Sequence, residues 1–217
     1  MAAQPGLKRV LSWVPAALSA RTMKAVKGAV FVGSLYELAR LAWLAAANGL
    51  GANPVELIER GLGTAALVML LLTLAISPLR WLTGWAWLLR LRRMLGLYAF
   101  FYAVLHVTAY VWLDHWFDWQ AVWLDIVKRP YLSFGAAAFV LMIPLAVTST
   151  HAWVRRLGGR NWQRLHRWVY LIAALAVLHY WYHKLAKNNI EDPAIYAVIL
   201  GLLLGARLVH WRNSRQR

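Results

Sequence analysis

The sequence predicts an all-α integral membrane protein: a bundle of six transmembrane helices with both termini in the cytoplasm. Three observations carry that expectation. Of 217 residues, 61% are hydrophobic and 15% are charged, whereas a soluble domain carries about 25% charged residues. Apolar runs of ~20 residues recur with little charge inside them, the length a helix needs to cross the hydrocarbon core. The 24 basic residues outnumber the 8 acidic ones, and they gather between the apolar runs.

The charge distribution predicts the orientation. With six crossings, the lead (Lys8, Arg9, Arg21, Lys24, Lys27), the 80–93 connection, the 155–164 connection and the tail lie on one side. They hold seventeen basic residues, against five (Arg60, Lys128, Arg129, Lys184, Lys187) on the other. Cytoplasmic loops carry the excess of lysine and arginine, so the seventeen are cytoplasmic. Seven of the eight acids fall outside. The net charge of +16 therefore fits loops facing anionic membrane lipid, and nucleic acid is not expected as a partner. Strict ten-residue alternation is absent, which argues against a β-barrel. No cysteine is present, so thiolate metal sites and iron–sulfur clusters are excluded.

Residues 1–27 read as a basic, partly amphipathic cytoplasmic lead, residues 28–211 as the six-helix domain, and residues 212–217 as a basic tail. Span one covers about 28–47 and contains Glu37 and Arg40, three residues apart on one helical face and able to neutralise each other. Residues 48–60 form a Gly/Asn/Pro turn and an acidic helix start. Span two covers 61–79, ended by Ser77-Pro78. The tryptophan-rich 81–93 stretch is too short and too charged to span and is expected to lie in the interface. Span three covers 94–113 and the polar loop 114–129 follows it. Span four covers 130–149, the basic connection 150–163 comes next, and span five runs from Trp162 to Lys184. After the polar turn 183–193, span six covers 194–209.

Span five carries His166 and His179, thirteen residues or ~20 Å apart along its axis, and not on one strict face. An imidazole inside an apolar span is costly unless its nitrogens are bound, which marks it as functional. His106 lies ~12 residues into span three from the cytoplasmic side. Against a common boundary near Leu165, His179 lies ~14 residues deep, within one turn of His106. Two imidazoles from different helices at one depth suit bis-axial ligation of haem iron, with Tyr102, Tyr110, Tyr170 and Trp181 packing the ring. His166 sits at the cytoplasmic edge, where it needs no ligand but is also placed for a cofactor or quinone headgroup; His151 is a weaker partner for it. Arg92 and Arg93, beside interfacial tryptophans, are ordinary anchors or, alternatively, a site for a flavin phosphate or a quinone. His115, His183 and His210 are expected in solvent.

Several stretches together resemble a known family. They are NPVELIERGLGTAAL (53–67), SPLR (77–80), RRMLGLYAFFYAVLHVTAY (92–110), RPYLSFG (129–135), LAVTST (145–150) and NWQRLHRWVYLIAALAVLHYWY (161–182). The chain resembles the MsrQ (YedZ) family, within the ferric-reductase-like transmembrane group. That resemblance implies a bacterial inner-membrane electron-transfer protein with haem b, one group or two, and with flavin mononucleotide (FMN) as a further cofactor. The implied donor is the quinol pool or a cytosolic flavin reductase. The implied acceptor is a periplasmic molybdopterin-containing methionine-sulfoxide reductase subunit, which performs the catalysis. The family's histidines carry over onto His106, His166 and His179. Arg92 or Arg93 stands where a second bis-histidine haem would need a ligand. The rival expectations are a transmembrane ferric or quinone reductase with a small acceptor, and a cofactor-free membrane scaffold.

Overall fold

The computed structural model describes residues 17–185 and 189–216. The expectations for residues 1–16, for Lys187 and for Arg217 lie outside the described residues. Ten α-helices and no strand occur among them.

Helix α1 (Ala20–Ser34) starts at Ser19, whose hydroxyl accepts from the Thr22 amide. It continues through a bend at Leu35 into α2 (Tyr36–Ala46), and together they form one 27-residue apolar crossing. The bend follows Gly33-Ser34, a pair that commonly kinks helices. The Ser34 carbonyl accepts the Tyr102 hydroxyl.

Helix α3 (Pro54–Thr83) is capped by Asn53, which accepts from the Glu56 amide, and has Pro54 in its first turn, where a missing N–H costs nothing. It does not stop at Ser77-Pro78 but runs on to Gly84, whose φ of 77° ends it in the left-handed region. Pro78 has no N–H to give the Leu74 carbonyl, four residues back. The freed carbonyl is taken by the Arg207 guanidinium from the last helix, which also donates to Leu203 at 2.8 Å and lies over the Tyr170 ring. The cross-helix cap explains why the proline is tolerated. Arg207→Met should lower stability by about 1–3 kcal/mol, the cost of an orphaned buried carbonyl. Pro78→Ala, which restores the N–H, should recover part of it. Thermal unfolding of the two single variants and the double variant in detergent measures both effects.

The 81–93 stretch is not a separate interfacial segment. It is divided among the end of α3, a 3₁₀ turn (Ala86–Leu88) and the start of α4 (Leu89–Ala109). Helix α4 ends in a π-turn (Tyr110–Asp114) followed by Trp116 and Phe117 at φ 47° and 63°. The expected polar loop holds α5 (Trp119–Lys128), begun by Asp118 accepting from the Gln120 and Ala121 amides. Its Trp119, Trp123 and Val127 face outward while Val122 is buried.

Helix α6 (Pro130–Val147) leads to two short basic helices, α7 (His151–Leu157) and α8 (Gly159–His166), which meet at Gly158 with φ 74°. A turn at Arg167-Trp168 separates α8 from α9 (Val169–Leu185), so His166 and His179 do not share one continuous helix. Helix α10 (Glu191–Arg215) closes the described chain.

Five of these elements are long and apolar enough to cross a membrane: Ala20–Ala46, Pro54–Thr83, Ala86–Asp114, Pro130–Val147 and Glu191–Arg215. Helix α9, at 17 residues, is packed into the core: Ile172 and Ala173 are fully buried, and Val169 and Val177 nearly so. It packs against Leu67, Leu70, Leu71 and Leu74 of α3, Ala138 of α6 and Leu200 of α10. That central position decides where its side chains end up.

Candidate functional site

The structure brings His106 of α4 and His179 of α9 together, with ring centres 6.1 Å apart and planes crossing at 73°. Each ring is held the same way by a helix that is not its own. His106 Nδ1 donates to the Glu59 carbonyl of α3 at 3.0 Å, and His179 Nδ1 to the Tyr131 carbonyl of α6 at 2.7 Å. A carbonyl can only accept, so Nδ1 carries the proton in both rings and Nε2 keeps its lone pair.

Four residues after each accepting carbonyl stands a glycine. A Cβ on Gly63 would meet His106 Cε1 at 3.1 Å and Nδ1 at 3.2 Å. A Cβ on Gly135 would meet His179 Nδ1 at 2.7 Å and Cε1 at 3.0 Å. One helical turn separates residues i and i+4, so the bare glycine lets the ring settle beside the carbonyl below it. Glu59, Gly63, Tyr131 and Gly135 were not marked by reasoning on the sequence. The only local signal was a glycine within an apolar span, in ERGLG and YLSFG.

This geometry tests whether a haem fits. A metal–nitrogen bond is ~2.0–2.1 Å and an imidazole centre lies ~1.1 Å behind its nitrogen. Two rings on opposite sides of one metal therefore have centres roughly 6.2 Å apart, in agreement with the pair here. Among the described residues no three His, Asp or Glu side chains gather as a metal site. A bare ion would lack ligands, whereas a porphyrin brings four nitrogens and asks the protein for two. The donor set, its tautomers and the spacing fit the group.

The aromatic ring beside His179 is Tyr131, 5.9 Å between centres, and the other expected neighbours are turned elsewhere. Tyr102, fully buried, sends its hydroxyl to Ser34, and Tyr110 lies against His115 with its hydroxyl 3.4 Å from Asp125. Tyr170, nine residues before His179 on α9, lines a separate cavity, and Trp181 is half-buried on the same helix. His115 pairs with Asp125 at 3.5 Å, His183 lies against Tyr131, and His210 stacks on Trp81, so none of the three is simply solvated.

The remaining site candidates share that second cavity, of about 440 Å³, walled by Arg92, Arg93, His151, Trp162, His166 and Tyr170. Arg92 and His106 are fourteen residues apart on α4, which puts ~20 Å of helix between cavity and histidine pair. Thr148 organises the cavity. Its hydroxyl is 3.0 Å from His166 Nε2, its carbonyl accepts the Trp162 indole N–H at 2.9 Å, and Trp162 stacks on His166 at 3.9 Å. Burial first, and the Arg92 charge second, push the His166 pKa down to about 4, so the ring is neutral at physiological pH. The Arg92 and Arg93 charges and an apolar wall of Leu70, Phe100, Met142 and Ile172 are what a flat, anionic ligand requires.

The fold and the histidine pair fall within one matched family: the model for the ferric reductase like transmembrane component matches residues 62–177. Within that class the chain belongs to the MsrQ family. It is 52% identical over 186 residues to the protein-methionine-sulfoxide reductase heme-binding subunit MsrQ of Herminiimonas arsenicoxydans, covering 86% of this chain and 85% of that one. Its identity to the protein of the same name from Ralstonia nicotianae is 50% over 204 residues, covering 94% of each. To that of Bordetella pertussis it is 51% over 203 residues, covering 93% of this chain and 98% of the relative. No solved structure matches. With its apolar helices, the chain is a multi-pass membrane protein.

Proposed function

We propose that this protein is the haem b electron-transfer subunit of a periplasmic methionine-sulfoxide reductase system in the bacterial inner membrane. His106 and His179 would hold one haem, which when bound would supply one-electron transfer. Glu59, Gly63, Tyr131 and Gly135 set the rings before the cofactor arrives. The observation that supports the reading is the matched pair of Nδ1–carbonyl bonds, which leaves the Nε2 lone pair of each imidazole free to bind. The relatives' printed description as heme-binding subunits supports it.

Helix α9 serves as the sixth crossing, and the basic bias sets both termini in the cytoplasm. The histidine pair then lies in the outer half of the membrane, near the acidic and tryptophan-rich loops where a molybdopterin-containing reductase subunit would dock. The inner cavity, with Arg92, Arg93 and His166, faces the cytoplasm. There it suits FMN, whose phosphate the arginines would neutralise, or a quinone. The donor is the quinol pool or a cytosolic flavin reductase, and the sulfoxide chemistry belongs to the partner.

A reduced-minus-oxidised spectrum with a pyridine haemochrome assay tests the core of this reading. One haem b per chain is expected on the outer pair, and a colourless purified protein sinks the proposal. The ferric-reductase likeness favours one rival, a reductase acting on a small acceptor. Membrane sulfoxide-dependent haem reoxidation that survives deletion of the periplasmic subunit would favour that rival.

A further inference from the structure

A groove of about 800 Å³ opens between α1–α2 and α3. One wall is the bent crossing, whose outer surface exposes Val32, Tyr36 and Trp43. The other wall is α3, where Gly61, Thr64, Ala65 and Val68 present only small side chains. A small-residue face usually draws a neighbouring helix close. Here α2 meets α3 through Leu38, Leu41 and Leu62, and an open groove is left beside that contact.

The groove contains a charged pair at a depth where charge is expensive. Arg40 Nε and Nη2 donate to the Glu37 carboxylate at 2.8 and 2.6 Å. The pair lies on Gly61, where a Cβ would collide with Glu37 Oε1 and stand 3.2 Å from Arg40 Nη2. Arg40 is six residues, ~9 Å, below the outer end of α2. Bidentate pairing leaves its Nη1 donors and the spare lone pairs of the carboxylate for a ligand.

The pair is also tied to the histidine site. Gly61 supports Glu37, and Gly63 supports His106. Two residues turn ~200° on a helix, so the groove and the histidine pair lie on opposite faces of α3, about one helix diameter or ~10 Å apart. Tyr102, which lines the groove, is on α4, as is His106.

We infer that this groove is the binding site for a membrane quinol, with Glu37 accepting from its phenolic hydroxyl and Arg40 donating to its other oxygen. The inference rests on the electron-transfer reading and gives its lipid-soluble donor a place distinct from the inner cavity. The net-neutral donor–acceptor pair selects the occupant. Glu56 and Arg60 line the mouth of the groove and keep it balanced, so a phospholipid phosphate would gain from the arginines but be repelled by the two glutamates, and an acyl chain would use none of them. An uncharged ring with an oxygen at each end uses both Glu37 and Arg40, and the small-residue floor suits its flat face.

The test uses the full haem-loaded chain in nanodiscs, an azido-quinone photolabel, peptide mapping, and decylubiquinone as competitor. Label is expected on peptides from 33–40 and 61–68 and should be displaced by decylubiquinone. The charge-balanced double variant Glu37→Gln/Arg40→Gln should weaken competition roughly tenfold or more, the value of a hydrogen bond to a charged group. Ala65→Phe, which fills the floor and keeps the pair, should do the same. An unchanged haem spectrum in both variants shows that the fold survives. Labelling at the Arg92–His166 cavity, labelling indifferent to decylubiquinone, or displacement by phosphatidylglycerol instead overturns the groove assignment and leaves the haem reading standing. A protein without haem defeats the underlying reading, whatever the label does.

Discussion

His106→Gly and His179→Gly are each expected to weaken haem binding by ~100-fold or more, leaving protein purified in detergent almost colourless. Displacing a partner that merely orients a metal ligand costs ~10–100-fold in affinity, and losing the ligand itself costs more. Neither histidine anchors the bundle. The core is built from Leu67, Leu70, Leu74, Ile172 and Ala173, and each imidazole's hydrogen bond is to a carbonyl already within a helix. Circular dichroism and the elution volume should therefore stay near wild type. Because glycine leaves room where the ring stood, added imidazole should restore a six-coordinate spectrum, which a folding defect could not yield. His166→Ala should keep the spectrum of the outer haem, since its Nε2 is engaged by Thr148 some ~20 Å of α4 away. An unchanged spectrum in His106→Gly would falsify the ligand assignment.

That His106 and His179 meet was legible from the chain alone because depth is arithmetic. Charged connections mark where each crossing begins, the rise per residue is fixed, and two histidines reached one level. Lateral arrangement is another matter. Nothing in the spacing of α4 and α9 says that α3 and α6 flank them, so the carbonyls of Glu59 and Tyr131 and the glycines one turn on could not be assigned a task. Span one was legible as a crossing with a neutralised Glu37–Arg40 pair, but its bend at Leu35 and the groove behind it depend on Tyr102 reaching Ser34 from sixty-eight residues away.

The errors at the boundaries have physical causes too. Pro78 reads as a stop until Arg207, 133 residues beyond Leu74 and near the other end of the chain, takes the Leu74 carbonyl that the proline strands. The 114–129 stretch reads as polar because its tryptophans and aspartates alternate. Yet Asp118 is a good helix cap, and the stripe Trp119, Trp123, Val127 has the spacing of a surface helix. On apolar spacing alone His166 reads as part of the same helix as His179. The turn at Arg167-Trp168 instead ends α8 at His166, which stacks on Trp162 one turn back in the same short helix.

The glycines give the second prediction, and its sign is unusual. Gly→Ala inside a helix normally stabilises by about 1 kcal/mol, because alanine restricts the unfolded chain more and favours the helix. Gly201, in α10, has nothing within 4 Å of a built Cβ, so Gly201→Ala should follow that rule and leave haem untouched. At Gly135 the new methyl would lie 2.7 Å from His179 Nδ1, against a ring pinned at 2.7 Å to the Tyr131 carbonyl. Methyl and hydrogen bond cannot both be accommodated. The ring must tilt away, the tautomer loses its anchor, and Nε2 leaves its position opposite His106. Gly135→Ala should therefore reduce haem affinity ~10–100-fold, the usual cost of a disturbed partner of a metal ligand. Gly63→Ala, with looser 3.1 and 3.2 Å approaches, should do so less. Haem titration of the three variants, beside their thermal unfolding, separates the two effects. If Gly135→Ala bound haem as tightly as Gly201→Ala, the cradle would have no part in holding the histidine, and ligand placement would have to come from α4 and α9 alone.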